Sequence, residues 1–207
     1  MAQNGTAVLF TVREDSGKEA VIEDVEFSNN IVRGSGNAVN ILGYEAGGGR
    51  RLTIRNNLFD DINGGRWNGA GYFLQATGWD TLTVENNTII NSGAITNAYG
   101  APVRGFVFRN NVVFENEYGV KGDGTNPGKP TLDKFFPRGD VSFNAVIGGN
   151  ASLYHGKNMY PVSIKQLGFV NAEAGDYKLR PDSPLRAKGF GGIQIGADLD
   201  SKLVGGK

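Results

Sequence analysis

Leu82-Thr-Val-Glu-Asn-Asn-Thr-Ile-Ile90 is the stretch on which the fold turns, because near-copies of it recur along the chain. They are Val25-Glu-Phe-Ser-Asn-Asn-Ile-Val32, Leu52-Thr-Ile-Arg-Asn-Asn-Leu-Phe59 and Phe106-Val-Phe-Arg-Asn-Asn-Val-Val113, with a shortened Val141-Ser-Phe-Asn-Ala-Val-Ile147. Self-similarity of this kind marks a solenoid. The pairs end at Asn30, Asn57, Asn87 and Asn111, and a single Asn144 follows, at intervals of 27, 30, 24 and 33 residues. Each copy opens with alternating apolar residues (Leu52/Ile54, Leu82/Val84, Phe106/Phe108), the period of a strand. After each Asn pair comes a second apolar run, then a Gly-rich corner, then a third: Ala38-Val-Asn-Ile-Leu, Gly71-Tyr-Phe-Leu-Gln, Ala94-Ile-Thr-Asn, Tyr118-Gly-Val-Lys and Ala151-Ser-Leu-Tyr.

Three strands per repeat with variable loops between them predict an all-β fold, a single-stranded right-handed parallel β-helix of about five to six coils. One coil cannot bury its apolar face alone, whereas stacked coils share a core and pair every strand above and below. Asn at the same corner of successive coils is expected to stack as a ladder, each amide bonding its neighbour or a turn backbone group. The asparagines are therefore assigned to the scaffold.

The 207 residues form one predicted domain, coils over 6–167 and an irregular C-terminal cap over 168–207 that packs over the last coil. Twenty-one basic residues balance 21 acidic ones, so the bulk charge expected of a nucleic-acid binder or a membrane-surface protein is missing. No apolar run approaches the roughly 18 residues of a membrane span, and Met1-Ala-Gln-Asn-Gly-Thr has no signal-peptide pattern. Zero cysteines exclude disulfides and thiolate metal sites. Thr6-Ala-Val-Leu-Phe-Thr-Val12 fits the third strand of a coil whose first two strands are absent, with a loop from Arg13 to Ala20 leading onward. A β-helix normally covers its ends. This end is expected to be buried by another chain, as in a homo-oligomer, or to continue into a longer protein.

The Asn-Asn coils, Gly175-Asp-Tyr-Lys-Leu-Arg-Pro-Asp-Ser-Pro and the ending Ile195-Gly-Ala-Asp together resemble bacterial right-handed parallel β-helix repeat proteins of the pectate-lyase-like and alginate-lyase-like group. The similarity runs over residues 7–198. It implies an exported protein, secreted or periplasmic, that acts on an acidic polysaccharide. No complete catalytic motif of a named lyase, hydrolase or esterase family is present.

Long loops at 63–71, 123–140 and 159–168 are where binding is expected. With Val39, Phe73 or Leu74, Ile95, Val120 and Leu153 inward, the third strands present an outward row of Asn40, Gln75, Thr96, Lys121 and Tyr154 or His155. A flat row of hydrogen-bonding side chains, walled by Arg66-Trp67 and the 123–140 loop, suits an extended sugar chain. Trp67 would stack on a ring, and Arg66, Arg104 or Lys121 would bind a carboxylate. The plain alternative is that these are solvated outward positions.

For β-elimination, Lys121 is the candidate base, Tyr154 or His155 the acid, and Arg104 or Arg138 the neutralising cation. Hydrolysis would need two carboxylates about 5–10 Å apart, drawn from Asp123, Asp133, Glu115 and Glu117. A lone histidine such as His155 is more often a surface or packing residue than a catalyst. No cofactor is called for. Lys121-Gly-Asp-Gly-Thr-Asn126 leaves oxygen-ligand calcium open at Asp123 and Asn126, but without the regular carboxylate spacing of a calcium loop.

Overall fold

The computed structural model describes residues 5–13, 20–43 and 47–199. The N-terminal leader reading, most of the Arg13–Ala20 loop and the end of the predicted cap lie outside them. In chain order the strands are β1 (Thr6–Thr11), then β2 (Ile22–Ser28), β3 (Ile31–Ser35) and β4 (Asn37–Leu42). The next coil has β5 (Gly49–Arg55), β6 (Leu58–Ile62), the short helix α1 (Gly64–Trp67) and β7 (Leu74–Thr77). It is followed by β8 (Trp79–Glu85), β9 (Thr88–Asn91) and β10 (Thr96–Ala98), then β11 (Arg104–Arg109), β12 (Val112–Phe114) and β13 (Val120–Gly122). Helix α2 (Lys129–Phe135), β14 (Asp140–Ser142) and β15 (Ala145–Ile147) complete the coils.

Three parallel sheets of five strands result: a first sheet β2-β5-β8-β11-β14, a second β3-β6-β9-β12-β15 and a third β1-β4-β7-β10-β13. This is a right-handed parallel β-helix. In the inner coils the inward apolar residues pack on the coils to either side. Phe10, Phe27, Phe59, Phe73, Phe108, Phe106 and Phe136 form a column of ring contacts at centroid distances of 4.3–6.4 Å.

The Asn pair divides its labour. The first member, at Asn29, Asn56, Asn86 and Asn110, sits at φ of 51–59°, the left-handed region that asparagine tolerates. The second forms the ladder. The Asn57 backbone N–H and Nδ2 both donate to Asn87 Oδ1 (2.9 and 3.0 Å), while Asn57 Nδ2 also donates back to Phe27 O (2.9 Å). Asn30, Asn87, Asn111 and Asn144 repeat the bond to the next coil, and Asn158 closes the series. Sequence reading missed Asn158, since no second asparagine or strand run precedes it.

Three expectations change. Ala151-Ser-Leu-Tyr is not a third strand: Ala151–Leu153 is a 3₁₀ turn, with Asn150 Oδ1 capping the Ser152 N–H. The 123–140 loop is largely an end plug, because α2 turns Thr131, Leu132 and Phe135 inward and Phe136 stacks on Phe106 at 4.3 Å. The C-terminal segment, expected over the last coil, runs along the flank of the solenoid. Leu167, Phe169, Leu179, Leu185 and Ile195 form a second apolar cluster with Leu58, Val112, Ala145 and Ile147 of the second sheet. Strands β16 (Phe169–Asn171) and β17 (Asp176–Leu179) pair antiparallel within this strap. The strap reaches far back: Asp198 N–H bonds Asn56 Oδ1 (2.6 Å) and Tyr177 hydroxyl donates to Asp60 (2.9 Å).

Candidate functional site

With the second sheet covered by the strap, the third sheet keeps an outer face that no other element covers among the described residues. Its register places Leu9 beside Asn40, Asn40 beside Gln75, Gln75 beside Asn97 and Asn97 beside Lys121. The outward row is therefore Asn40, Gln75, Asn97 and Lys121, not Thr96. Thr96 is buried and turns its hydroxyl to Lys121 O (3.1 Å). At about 4.8 Å per rung, Leu9 and Lys121 stand about 19 Å apart.

The three amides of this row differ from those of the ladder. Asn40, Gln75 and Asn97 are half-buried, yet their side chains make no hydrogen bond among the described residues. Asn40 Oδ1 is fully buried without a partner. Such a group costs about 1–3 kcal/mol. At the far end Lys121 Nζ donates to Tyr72 hydroxyl at 3.0 Å and lies 5.0 and 5.2 Å from the Tyr72 and Tyr118 ring centroids. The hydrogen bond to Glu117, ahead of its charge, raises the Tyr118 phenol above its usual range. Near Asn40 the face dips into a depression of about 300 Å³ whose lining includes Leu9, Leu42, Arg13 and Tyr99.

Of the residues expected here, Asn40, Gln75 and Lys121 do converge. The others do not. Tyr154 is inside the core, its hydroxyl donating to the Glu115 carboxylate; burial pushes the Tyr154 phenol well up and raises the Glu115 carboxyl against the opposing pull of that bond. It cannot face a ligand on the third sheet. His155 Nε2 pairs with Asp133 Oδ1 at 2.8 Å, both exposed beside α2. Glu115 is buried, whereas Glu117, Asp123 and Asp133 are exposed.

Arg104 belongs to the first sheet, where its side chain is 80% exposed and 4.0 Å from Asp80. Arg138, at φ 59°, occupies the left-handed bend that precedes β14 in that same sheet. Arg66 and Trp67 both bind Asp61 (3.1 and 2.8 Å) and the indole packs on Gly34 of β3, so both side chains turn to the second sheet, while the Trp67 carbonyl lies beside Gly5 and Gly36 at the starts of β1 and β4. Asp123 is tied into the turn before α2, its carbonyl accepting from Lys134 Nζ (2.9 Å), and Asn126 O accepts from the Thr131 hydroxyl (2.9 Å). No group of three or more His, Cys, Asp or Glu side chains gathers among the described residues.

Sequence reading missed Asn97, Tyr72, Tyr118, Tyr99 and Leu9. A phase one residue later in β10 recovers Asn97; the tyrosines lie at corners, where alternation carries no signal. No family model, no curated protein and no solved structure matches this chain.

Proposed function

We propose that the chain is a carbohydrate-active β-helix that binds an acidic polysaccharide along the outer face of its third sheet. The observation that carries the reading is the row of unengaged amides: three adjacent rungs carry donors and acceptors that the described residues do not use. Sugar hydroxyls supply the matching groups, and the Lys121 ammonium supplies a counter-charge for a carboxylate. The resemblance of the coils and the closing segment to pectate-lyase-like and alginate-lyase-like proteins points the same way.

Lys121 and Tyr72 are the reacting pair on this reading, Tyr72 replacing Tyr154 and His155. In β-elimination a base removes the proton α to the uronate carboxylate. The C–H electrons form the double bond, and the glycosidic C–O bond breaks onto an oxygen that takes up a proton. The hydrogen bond from Lys121 Nζ fixes the Tyr72 hydroxyl beside the ammonium, which places Tyr72 to carry the proton and the ammonium to hold the carboxylate. Uronate polymers assayed for unsaturated product test this. Tyr72→Phe and Lys121→Ala should each lower turnover by about 10²–10⁴-fold. Unchanged turnover in both variants overturns the assignment, and binding without turnover leaves a non-catalytic receptor.

A second reading rests on the opposite end of the molecule. Val8, Phe10, Val25, Phe27 and Val32 pack on the core but stay partly exposed, and β1, β2 and β3 have no partner strand above them among the described residues. A second copy stacked there would cover these groups. Sedimentation showing a monomer at all concentrations rejects it.

A further inference from the structure

The Asn40 end of the third sheet differs chemically from the Lys121 end. Lys121 sits between two tyrosines, whereas Asn40 is bordered by aliphatic side chains: Leu9, its neighbour across the β1–β4 pairing, is 50% exposed, and Leu42 is half-buried. Tyr99 lines the same depression of about 300 Å³. Its lining also carries Thr6, Thr11 and Arg13, so the depression is chemically mixed, with its aliphatic surface concentrated at Leu9 and Leu42 beside Asn40. The single amide set into it, Asn40, has its Oδ1 turned away from solvent with no hydrogen bond. Rotation about the terminal torsion of asparagine is cheap, because that torsion is broad and nearly two-fold. A ligand N–H that draws Oδ1 outward therefore removes a penalty already present in the free protein.

We infer that this depression is a subsite for an N-acetylated sugar residue. The acetamido N–H meets Asn40 Oδ1, and the acetyl methyl lies on Leu9 and Leu42. A polymer that fills the whole face then carries an acetamido group at Asn40 and a carboxylate about 14 Å away at Lys121, three rungs along. The inference rests on the reading of the third sheet as a saccharide-binding face and adds a substituent to it.

Two disaccharides with the same backbone, di-N-acetylchitobiose and cellobiose, isolate the acetamido group. Calorimetric titration of the full chain should show the acetylated sugar binding about tenfold tighter, since burying one methyl and satisfying one amide is worth about that factor. Saturation-transfer NMR should mark the acetyl methyl as the ligand proton closest to the protein. Asn40→Ala and Leu9→Ala should each remove the preference, with melting curves confirming that both variants fold. Equal affinity for the two sugars, or a preference that survives in both variants, overturns the inference.

An oligogalacturonate titration separates the two claims. Binding of the uronate without any acetyl preference sinks the subsite and keeps the face. An acetyl preference without uronate binding supports the subsite and sinks the acidic ligand. Binding of neither sinks both.

Discussion

Asparagine occurs on this chain in two roles that differ only in what the amide touches. In the ladder, Asn87 Oδ1 accepts from the Asn57 backbone N–H and Nδ2, and Asn87 Nδ2 donates to Ile54 O (2.9 Å) and Asn111 Oδ1 (3.0 Å). Three coils are joined through one side chain that is wholly buried. Asn87→Ala leaves the Asn57 donors and the Ile54 carbonyl without partners, and a loss of about 3–5 kcal/mol in urea unfolding is expected. Asn97 on the third sheet makes no such bonds among the described residues. Asn97→Ala should therefore change stability by no more than about 0.5 kcal/mol. A ladder loss below about 1 kcal/mol would remove the amides as the device that keeps the coils in register.

Strands were legible because each coil repeats the same two constraints, an alternating run and a left-handed corner that asparagine satisfies. What stayed hidden lies between the repeats. Ala94, Ile95 and Thr96 are buried in succession, so alternation fails just ahead of β10 and the outward phase slips by one residue. The candidate row lost Asn97 for that reason. Tyr154 read as an outward residue because nothing local shows that Glu115, 39 positions earlier, holds it in the core. Helix α2 was hidden by composition: its Pro130 sits in the first turn, where the missing N–H costs nothing, but in a Gly-rich stretch it reads as a loop breaker. The consequence is an end plug rather than a binding loop. Phe136, 1% exposed and 4.3 Å from the Phe106 ring, anchors it. Phe136→Ala should cost about 3–5 kcal/mol, read as a lowered melting temperature. A change below about 1 kcal/mol would mean that the core closes without the plug.

Across the whole molecule, charge falls into two classes with opposite pH signatures. On the first sheet, Glu23, Asp24 and Glu26 face Arg50, Arg51 and Arg55, whose hydrogen bonds hold these carboxyls below their ordinary values. Groups lowered in the fold contribute stability that is lost as pH falls through the folded value. These pairs are solvent-exposed, so their contribution is small and screened by salt. Glu115 is the reverse case. The residue is 6% exposed, and burial raises its carboxyl from 4.5, opposed in part by the Tyr154 hydrogen bond. A raised group contributes stability that is complete below the unfolded value and lost as pH rises through the folded one. The loss therefore begins near pH 4.5 and levels off once the buried carboxyl has ionised. Tyr154, Tyr160 and Tyr177 are also raised, but their unfolded value of 10.0 keeps them out of the acid and neutral range. Glu115→Gln keeps the shape and a bond to Tyr154 while removing the charge. Melting temperatures from mildly acid to neutral pH should fall for the native chain and stay level for the variant, with the variant the more stable at neutrality. Parallel profiles for the two would show that the buried pair does not ionise in that range.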